Sequence, residues 1–483
     1  MELLHPGLYK QEIDQNGTME GSSTSTGAFL GVAPKGEIGK AVLVTNWKQY
    51  CNLYGGYTNN SYLAYAVQGF FKNGGKRAYI VRTAHYQDKV LTAKKSKLDI
   101  KTGSGDEAKV QAIISAKSEG VWGDDIEVEI LKGSEDKLFS IVVSLGDVKE
   151  KFEDLEMANA EDYLKSSKIA SIDIVGDAET LPVTPKTKLS GGDDGVEGIS
   201  MNDFCGDQSI GSGLYAFDSV RINLLAVPGI TNNTVLKAVA DYASGRQDCL
   251  AILDSPKGLT PQEVQEYVLK DMNINTSYAS VYYPWVIASD PAGVGSNPTK
   301  VLPPSGYVMG VYAQVDNKVG AWRAPAGTDF PLAGILDLEY PVTDNEQDVL
   351  NPNNINCIRA FAGDGIVIWG TRTLSKGDFK YVPVRRIVTY VGTSLMDNLR
   401  WTVFRPNDDD LWVAIERAVE EFLEGLRTQG GLKGKSSKEA FIVTCDNTIN
   451  TEETVNAGIT YVDIGLAVRK PSEFIVFRLG LKR

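Results

Sequence analysis

Residues 220–256 read VRINLLAVPGITNNTVLKAVADYASGRQDCLAILDSP. The apolar run VRINLLAVPG gives way at Thr234 to a pattern with Val235, Leu236, Val239 and Tyr242 on one side of a helix that ends near Gly245. CLAILDSP then starts a second apolar run, and PQEVQEYVLKDM (261–272) and YASVYYPWVIA (278–288) repeat helix and strand. Apolar strands separated by helices of this length belong on a parallel sheet with right-handed crossovers. The fold class is therefore α/β, with a core of βαβ units. Strand-rich stretches elsewhere make the whole chain α+β mixed.

Working outward, residues 1–27 read as an extended arm. Its one alternating patch is Leu8-Tyr9-Lys10-Gln11-Glu12-Ile13, with no hairpin partner nearby. Residues 28–87 begin the core: AFLGVA (28–33) and AYIVR (78–82) read as strands, and Leu63, Val67, Phe70 and Phe71 share a helix face. From 88 to 198 Lys, Asp, Glu, Ser and Gly dominate, broken by VQAIISA, DIEVEILK, FSIVVSLG and IASIDIV. That period-two pattern predicts an inserted, mostly antiparallel β domain with one wet face, closed by the linker Gly191–Gly195. Residues 199–350 resume the core, 351–468 form a C-terminal α/β domain, and 469–483 are a second arm. Within the C-terminal domain WTVF (401–404) reads as a strand. A helix over 408–429 follows, capped by Asn407 or Asp408, with Leu411, Ile415, Ala418, Phe422 and Leu426 inward. AFIVTCD (440–446), ITYVDIGLAV (459–468) and EFIVFRLGL (473–481) read as strands.

Composition narrows the function. Lys and Arg number 49 against 62 Asp and Glu, a net charge of −13. Such a surface repels phosphate backbones, so no direct nucleic-acid contact is expected. No apolar run approaches the ~18 residues of a membrane span, and the start, MELLHPGLYK, lacks a basic flank. The expectation is a chain with no leader and no membrane insertion, made inside a cell. Five dispersed cysteines form no CxxC pair, and there are two histidines, His5 and His85. Metal centres and His-based catalysis have little to work with, and no cofactor is expected.

The chemical-looking stretches have plainer readings. GGLKGKS (430–436) has three residues where a phosphate loop has four, and it precedes a strand. Asp193-Asp194 could attract a cation but reads as a solvated linker. Asp254 ends a parallel strand, where an active-site acid would sit, yet has no base near it in sequence and reads as a cap. Trp322 and Trp369 read as core or junction aromatics, and Arg372, Arg385 and Arg386 as partners of carboxylates.

Taken together, a series of segments resembles the contractile tail sheath family of tailed bacteriophages, R-type bacteriocins and related contractile injection systems. In order they are HPGLYKQEI, STGAFLGVAPKG, VQGFFKNGGKRAYIVR, AKSEGVWGDDIEVEI, LSGGDDG, LPPSGYVMGVYAQVDNKVGAWRAPAG, LNPNNINCIRAF, IVIWGTRTL, YVPVRRI, FRPNDDDLWVAI, EAFIVTCDNTIN and KPSEFIVFRL. One departure is Arg405, where the family usually has an acid. The resemblance implies a tail-sheath-like core, a C-terminal domain with arm strands, and a structural role in place of catalysis. It further implies a homo-oligomer of hexameric rings around an inner tail tube protein, with baseplate and tail terminator proteins as partners. The setting it implies is a virion tail or tail-like particle assembled in a bacterial cytoplasm.

On that reading the arm strands are Leu8–Ile13 and Phe474, Ile475, Val476, Phe477, Arg478 and Leu479, which would add to a neighbour's sheet. Residues 1–20 carry a net charge of −3 and residues 469–483 a net +4, which favours pairing of unlike arms. Glu416, Arg417, Glu420, Glu424 and Arg427 mark the outer face of the 408–429 helix as the candidate tube contact. The alternative from another class is a soluble α/β enzyme with the β insertion as a lid.

Overall fold

The computed structural model describes residues 19–103 and 108–475 of the chain. They divide into a larger unit, Thr24–Val319 with Arg323–Val382, and a C-terminal unit made of the remaining described residues, including Gly320–Trp322.

The larger unit is built on eight strands: β1 Gly27–Gly31, β2 Val42–Val44, β3 Ala78–Arg82, β4 Leu224–Ala226, β5 Leu250–Asp254, β6 Ala279–Tyr283, β7 Ile355–Phe361 and β8 Gly365–Ile368. Their order is β2-β3-β1-β4-β5-β6-β7-β8. The inner six are parallel, while β2 and β8 run antiparallel at the edges. Alternate residues feed two cores. Phe29, Ile80 and Ile252 join the side chains of α1 (Leu63–Lys72); Ala28, Leu30 and Val81 join α2 (Asn233–Arg246) on the other face. A strand buried on both faces cannot alternate in polarity, which is why these segments read as continuous apolar runs.

A third helix, α3 (Ser305–Lys318), packs on α1 with close backbone approach: a Cβ on Gly306 would sit 2.3 Å from the Ala66 carbonyl oxygen. The strand order reverses beside β1, where open α/β sheets leave a ligand crevice. Here that place is filled. Tyr62 stands edge-on to Trp285 with ring centres 5.3 Å apart, and so close to Gly229 that a Cβ there would be 2.2 Å from the ring.

Between β3 and β4 the chain forms a three-stranded sheet (Lys97–Thr102, Lys109–Ala116, Ala170–Ile174) and a four-stranded one (Glu127–Lys132, Phe139–Leu145, Val148–Leu155, Thr184–Lys188). Every pairing in them is antiparallel, around a core of their own that includes Ile114, Val128, Ile141 and Ile172. The buried Arg82, at the end of β3, ties them to the large sheet. It donates to the carbonyls of Gly36 (2.9 Å) and Glu119 (2.8 Å) and lies 3.6 Å from Asp194. The acidic linker thus neutralises a buried cation. Burial pulls the Arg82 guanidinium below its ordinary pKa, with Asp194 and Glu119 opposing the shift in part.

The start of the C-terminal domain, read at 351, moves. Backbone pairing of β7 with β6 holds residues 355–368 in the large sheet, and the C-terminal unit takes up the chain at Pro383. Trp369, read as a core or junction aromatic, is 39% exposed and packs on Phe361 instead.

Candidate assembly interface

The C-terminal unit holds α4 (Val382–Asn398, of which Pro383 onward belongs here), α5 (Asp409–Thr428), the short α6 (Glu452–Asn456) and two strands, β9 (Phe441–Thr444) and β10 (Asp463–Leu466). Asp408 caps α5 by accepting from the Leu411 amide at 3.1 Å, and Asp409 and Asp410 occupy the first turn, where the helix dipole favours negative charge. Leu411, Trp412, Ile415, Val419, Phe422, Leu423 and Leu426 are buried against Ile387 and Val391 of α4 and Phe441 and Val443 of β9. Val419, not Ala418, is the deeply buried member of that turn; the stripe is wider than the sequence reading, which also missed Trp412 and Leu423.

The candidate tube-facing residues separate into two sets. Arg417 and Glu420 are exposed and Glu416 half-buried. Glu424 and Arg427 are committed within the chain: Arg427 pairs with both Glu424 oxygens at 2.8 and 2.5 Å and reaches the Lys435 carbonyl at 3.3 Å, while Ser437 donates to Glu424 at 3.0 Å. The Arg427 guanidinium holds the Glu424 carboxyl below its ordinary pKa. Beneath them, burial pushes the Cys445 thiol up to about 11, with the Glu416 carboxylate adding to it.

β9 and β10 pair antiparallel with Phe441 opposite Leu466 and Thr444 opposite Asp463. Among the described residues they form a sheet of two strands, extended by the single bridge Leu432–Val468. Phe441 and Val443 face the core; Ile442, between them, is 65% exposed. Two strands are marginal alone, and among the described residues no further strand pairs with either of them. The glycine-rich stretch before β9 is not a phosphate cradle. The Lys433 amide bonds to the Ala467 carbonyl and the Lys435 amide to the Glu439 carboxylate, so those donors are spent.

The strand read at WTVF is absent. Arg400–Thr402 form a 3-10 turn, and Phe404 has φ +66°, a left-handed backbone that costs a bulky residue about 1–2 kcal/mol. Among the described residues no strand pairs with Trp401–Phe404, and the chain turns instead. The Arg405 guanidinium stacks on Trp401 at 5.3 Å, which is what the departure from an acidic residue does here. Asn407 then locks the loop: its oxygen accepts from Trp412 Nε1 and the Thr460 hydroxyl, both at 2.8 Å, and its amide donates to the Ile459 carbonyl at 3.1 Å.

The described end of the first arm is anchored in the same unit. The Ser22 amide donates to Ser394 Oγ (3.0 Å), the Ser22 hydroxyl to Asp397 (2.6 Å), and Asn398 to the Glu20 carbonyl (2.9 Å). Gly21 passes so near Tyr390 that a Cβ would fall 1.8 Å from its hydroxyl. Leu8–Ile13 and Val476–Leu479 lie outside the described residues. Phe474 and Ile475 are exposed and in no strand of this chain.

Elsewhere, Asp254 accepts from the Gly229 amide, the Ser305 amide and the Ser305 hydroxyl at 3.1, 2.9 and 2.8 Å, pinning the end of β5 to the start of α3. Burial raises it to about 6. Arg372 bonds the Asn351 carbonyl at 2.7 Å. Among the described residues no group of acids, Cys and His is placed to hold a metal, and no helix is long and apolar enough to cross a membrane.

Comparison with known proteins matches residues 203–374 to the phage tail sheath protein central domain and residues 375–479 to the phage tail sheath C-terminal domain. The chain belongs to the contractile tail sheath family. Sheath relatives include the tail sheath protein of Vibrio phage KVP40, 23% identical over 310 residues, covering 59% of this chain and 44% of that protein. A prophage major tail sheath protein of Pseudomonas aeruginosa is 25% identical over 302 residues, 61% of this chain and 73% of the other. This sheath chain therefore spans under half the length of the Vibrio phage protein. The fold matches the sheath complex of an extracellular contractile injection system in its contracted state, with TM-score 0.60, 22% identity and 99% and 98% of the two chains covered. What the matches and the neighbours show is membership of this family and a mixed α/β fold.

Proposed function

We propose that this sheath protein polymerises as stacked hexameric rings around an inner tube and contracts to drive the tube through a target cell envelope. The observation that carries the proposal is the β9–β10 sheet: two strands among the described residues and an exposed Ile442, in the unit that also holds Glu20, Ser22 and Phe474. Arms of neighbouring copies, using Leu8–Ile13 and Phe474–Leu479, would complete it by strand addition. Connected arms let rigid bodies re-pack between two arrangements without a cofactor, the driving energy being the difference between two sets of interfaces. Glu416, Arg417 and Glu420 offer an ionic face to a tube carrying basic groups, so that contact weakens with salt. The inserted β domain, residues 88–198, faces outward, and assembly onto a baseplate and under a terminator takes place in the bacterial cytoplasm.

Deletion of residues 1–18 tests this. The anchor at Ser22 and the core of the unit remain, so the truncated protein should melt within ~2 °C of wild type, since surface changes cost under ~0.5 kcal/mol. Negative-stain microscopy should then show no sheaths. Long sheaths from the truncated protein would refute strand exchange.

A further inference from the structure

β8 is an outer strand of the large sheet, and its far edge is taken up by an irregular stretch of chain, residues 323–336. The Gly327 amide donates to the Ile368 carbonyl at 2.9 Å, and the Leu332 amide to the Ile366 carbonyl at 2.8 Å. Those carbonyls are two residues apart while their donors are five apart, so residues 328–331 bulge and no ladder continues outward. Phe330 and Leu332 are buried in the core with Ile358 and Ile368, and the Lys318 ammonium lies 5.4 Å over the Phe330 ring. Left exposed are Thr328, Pro331 and an Arg323–Asp329 ion pair at 2.8 Å. The end of the stretch is pinned. Asn73, just after α1, accepts from the Ala333 amide at 2.7 Å and donates to its carbonyl at 3.1 Å, and the Leu336 amide bonds the Ile287 carbonyl at 2.8 Å. At the opposite edge β2 has three residues and leads directly into a helix, Trp47–Tyr54. β9 and β10, four residues each, pair with each other and with no further strand among the described residues.

We propose that residues 323–336 are a guard strap that keeps arm strands of neighbouring copies off the large sheet. The inference rests on the strand-exchange reading above and concerns what makes that exchange selective. An extended segment pairs with whatever strand edge is open, because main-chain hydrogen bonds supply affinity without regard to sequence. A chain that polymerises by adding strands must therefore cover every edge that is not meant to receive one. The strap does so in three ways. It occupies the two outward carbonyls of β8, and its bulge breaks the regular spacing that a further strand needs. It also sets Pro331, whose nitrogen carries no hydrogen, and a charged pair on the exposed side. Burial of Phe330 and Leu332 holds the strap shut, and Asn73 fixes its end. Asn73 is then a positioning residue for assembly, acting through Ala333.

The test titrates a fluorescent peptide of residues 5–15 onto the full-length protein and two variants, with a scrambled peptide as control, and locates the bound peptide by hydrogen exchange. One variant replaces residues 326–332 with a Gly-Ser linker. The milder one, Asn73→Ser, keeps Phe330 and Leu332 and decides the matter if the linker variant does not fold. Wild type should bind one equivalent per chain, with new protection confined to 441–444 and 463–466. Each folded variant should bind a second equivalent that protects 365–368, and Asn73→Ser should exchange the Gly327 and Leu332 amides at least tenfold faster. A strap that only stabilised the fold would speed exchange without creating a peptide site. A single equivalent in the folded variants, with 365–368 unprotected, overturns the strap and leaves strand exchange standing; protection of 365–368 in the wild type also overturns it. Binding at 365–368 in a variant with none to wild type keeps the strap and refutes exchange onto β9–β10. No binding to any of the three proteins overturns both.

Discussion

The two units of this protein differ in how completely each satisfies itself. In the larger one, the inner strands of the sheet are covered on both faces, the edges are short antiparallel strands, and even the crevice where the strand order reverses holds Tyr62 and Trp285. In the smaller one, a 20-residue helix with a full apolar face packs on a sheet of two strands, and Ile442, Phe404 and Val403 stand in the open. The smaller unit's sheet, with two strands among the described residues and Ile442 exposed, is the part that neighbouring copies would complete on the proposed reading.

The comparison can be broken by substitution. Phe70→Ala, in the closed core between α1 and the sheet, should lower unfolding free energy by about 3–5 kcal/mol in urea titrations. A loss under 1 kcal/mol would mean the larger unit is not the rigid body it looks. Next, Arg82→Met strips two carbonyls and Asp194 of their cation. It should lower stability by about 2–4 kcal/mol, and limited proteolysis should cut first at residues 88–96 or 189–199, where the inserted domain joins. Uniform cleavage over the whole chain would argue that Arg82 holds nothing in particular.

A third experiment sharpens the contrast by pH. Asp254 sits at about 6 in the folded chain against an ordinary 3.8, so the native state holds a proton that the unfolded state has already released. Its contribution is complete below pH ~4 and fades as pH rises through 6, by up to about 3 kcal/mol. Asp254→Asn should flatten that slope, and parallel stability–pH curves for the two proteins would deny the shift. The smallest effect falls in the open unit: Ile442→Thr should change stability by under ~0.5 kcal/mol while reducing the mass of polymer pelleted by centrifugation. Unchanged pelleting would mean that face of the sheet stays free in the assembly.

Much of this was legible in residue order. The βαβ core followed from residues 220–288, because doubly buried strands must be apolar throughout and helices must show one face. A cap at Asn407 or Asp408 and the start of α5 followed from local chemistry, with the structure choosing Asp408, and the family followed from many short matches in order. WTVF failed because alternation over four residues is a necessary mark of a strand and not a sufficient one; no strand among the described residues pairs with it. Glu424 and Arg427 were grouped with Glu420 because all are charged and outward by period. The sequence could not show that the turn at 435–437 folds back to meet them.

What residue order determined by itself was what period and local hydrogen bonding govern over long segments: the strands and helices of the core, the start and end of α5, and which side of that helix is apolar. What only the tertiary structure decided was partnership across distance. Arg82 finds Asp194 across more than a hundred residues, Asn407 joins a loop to the approach of β10, residues 355–368 join the large sheet instead of the C-terminal unit, and Phe404 is left without cover. The physical reason is the same in each case. Burial and pairing are properties of a place in space, and a chain specifies its places only once all of its segments have packed.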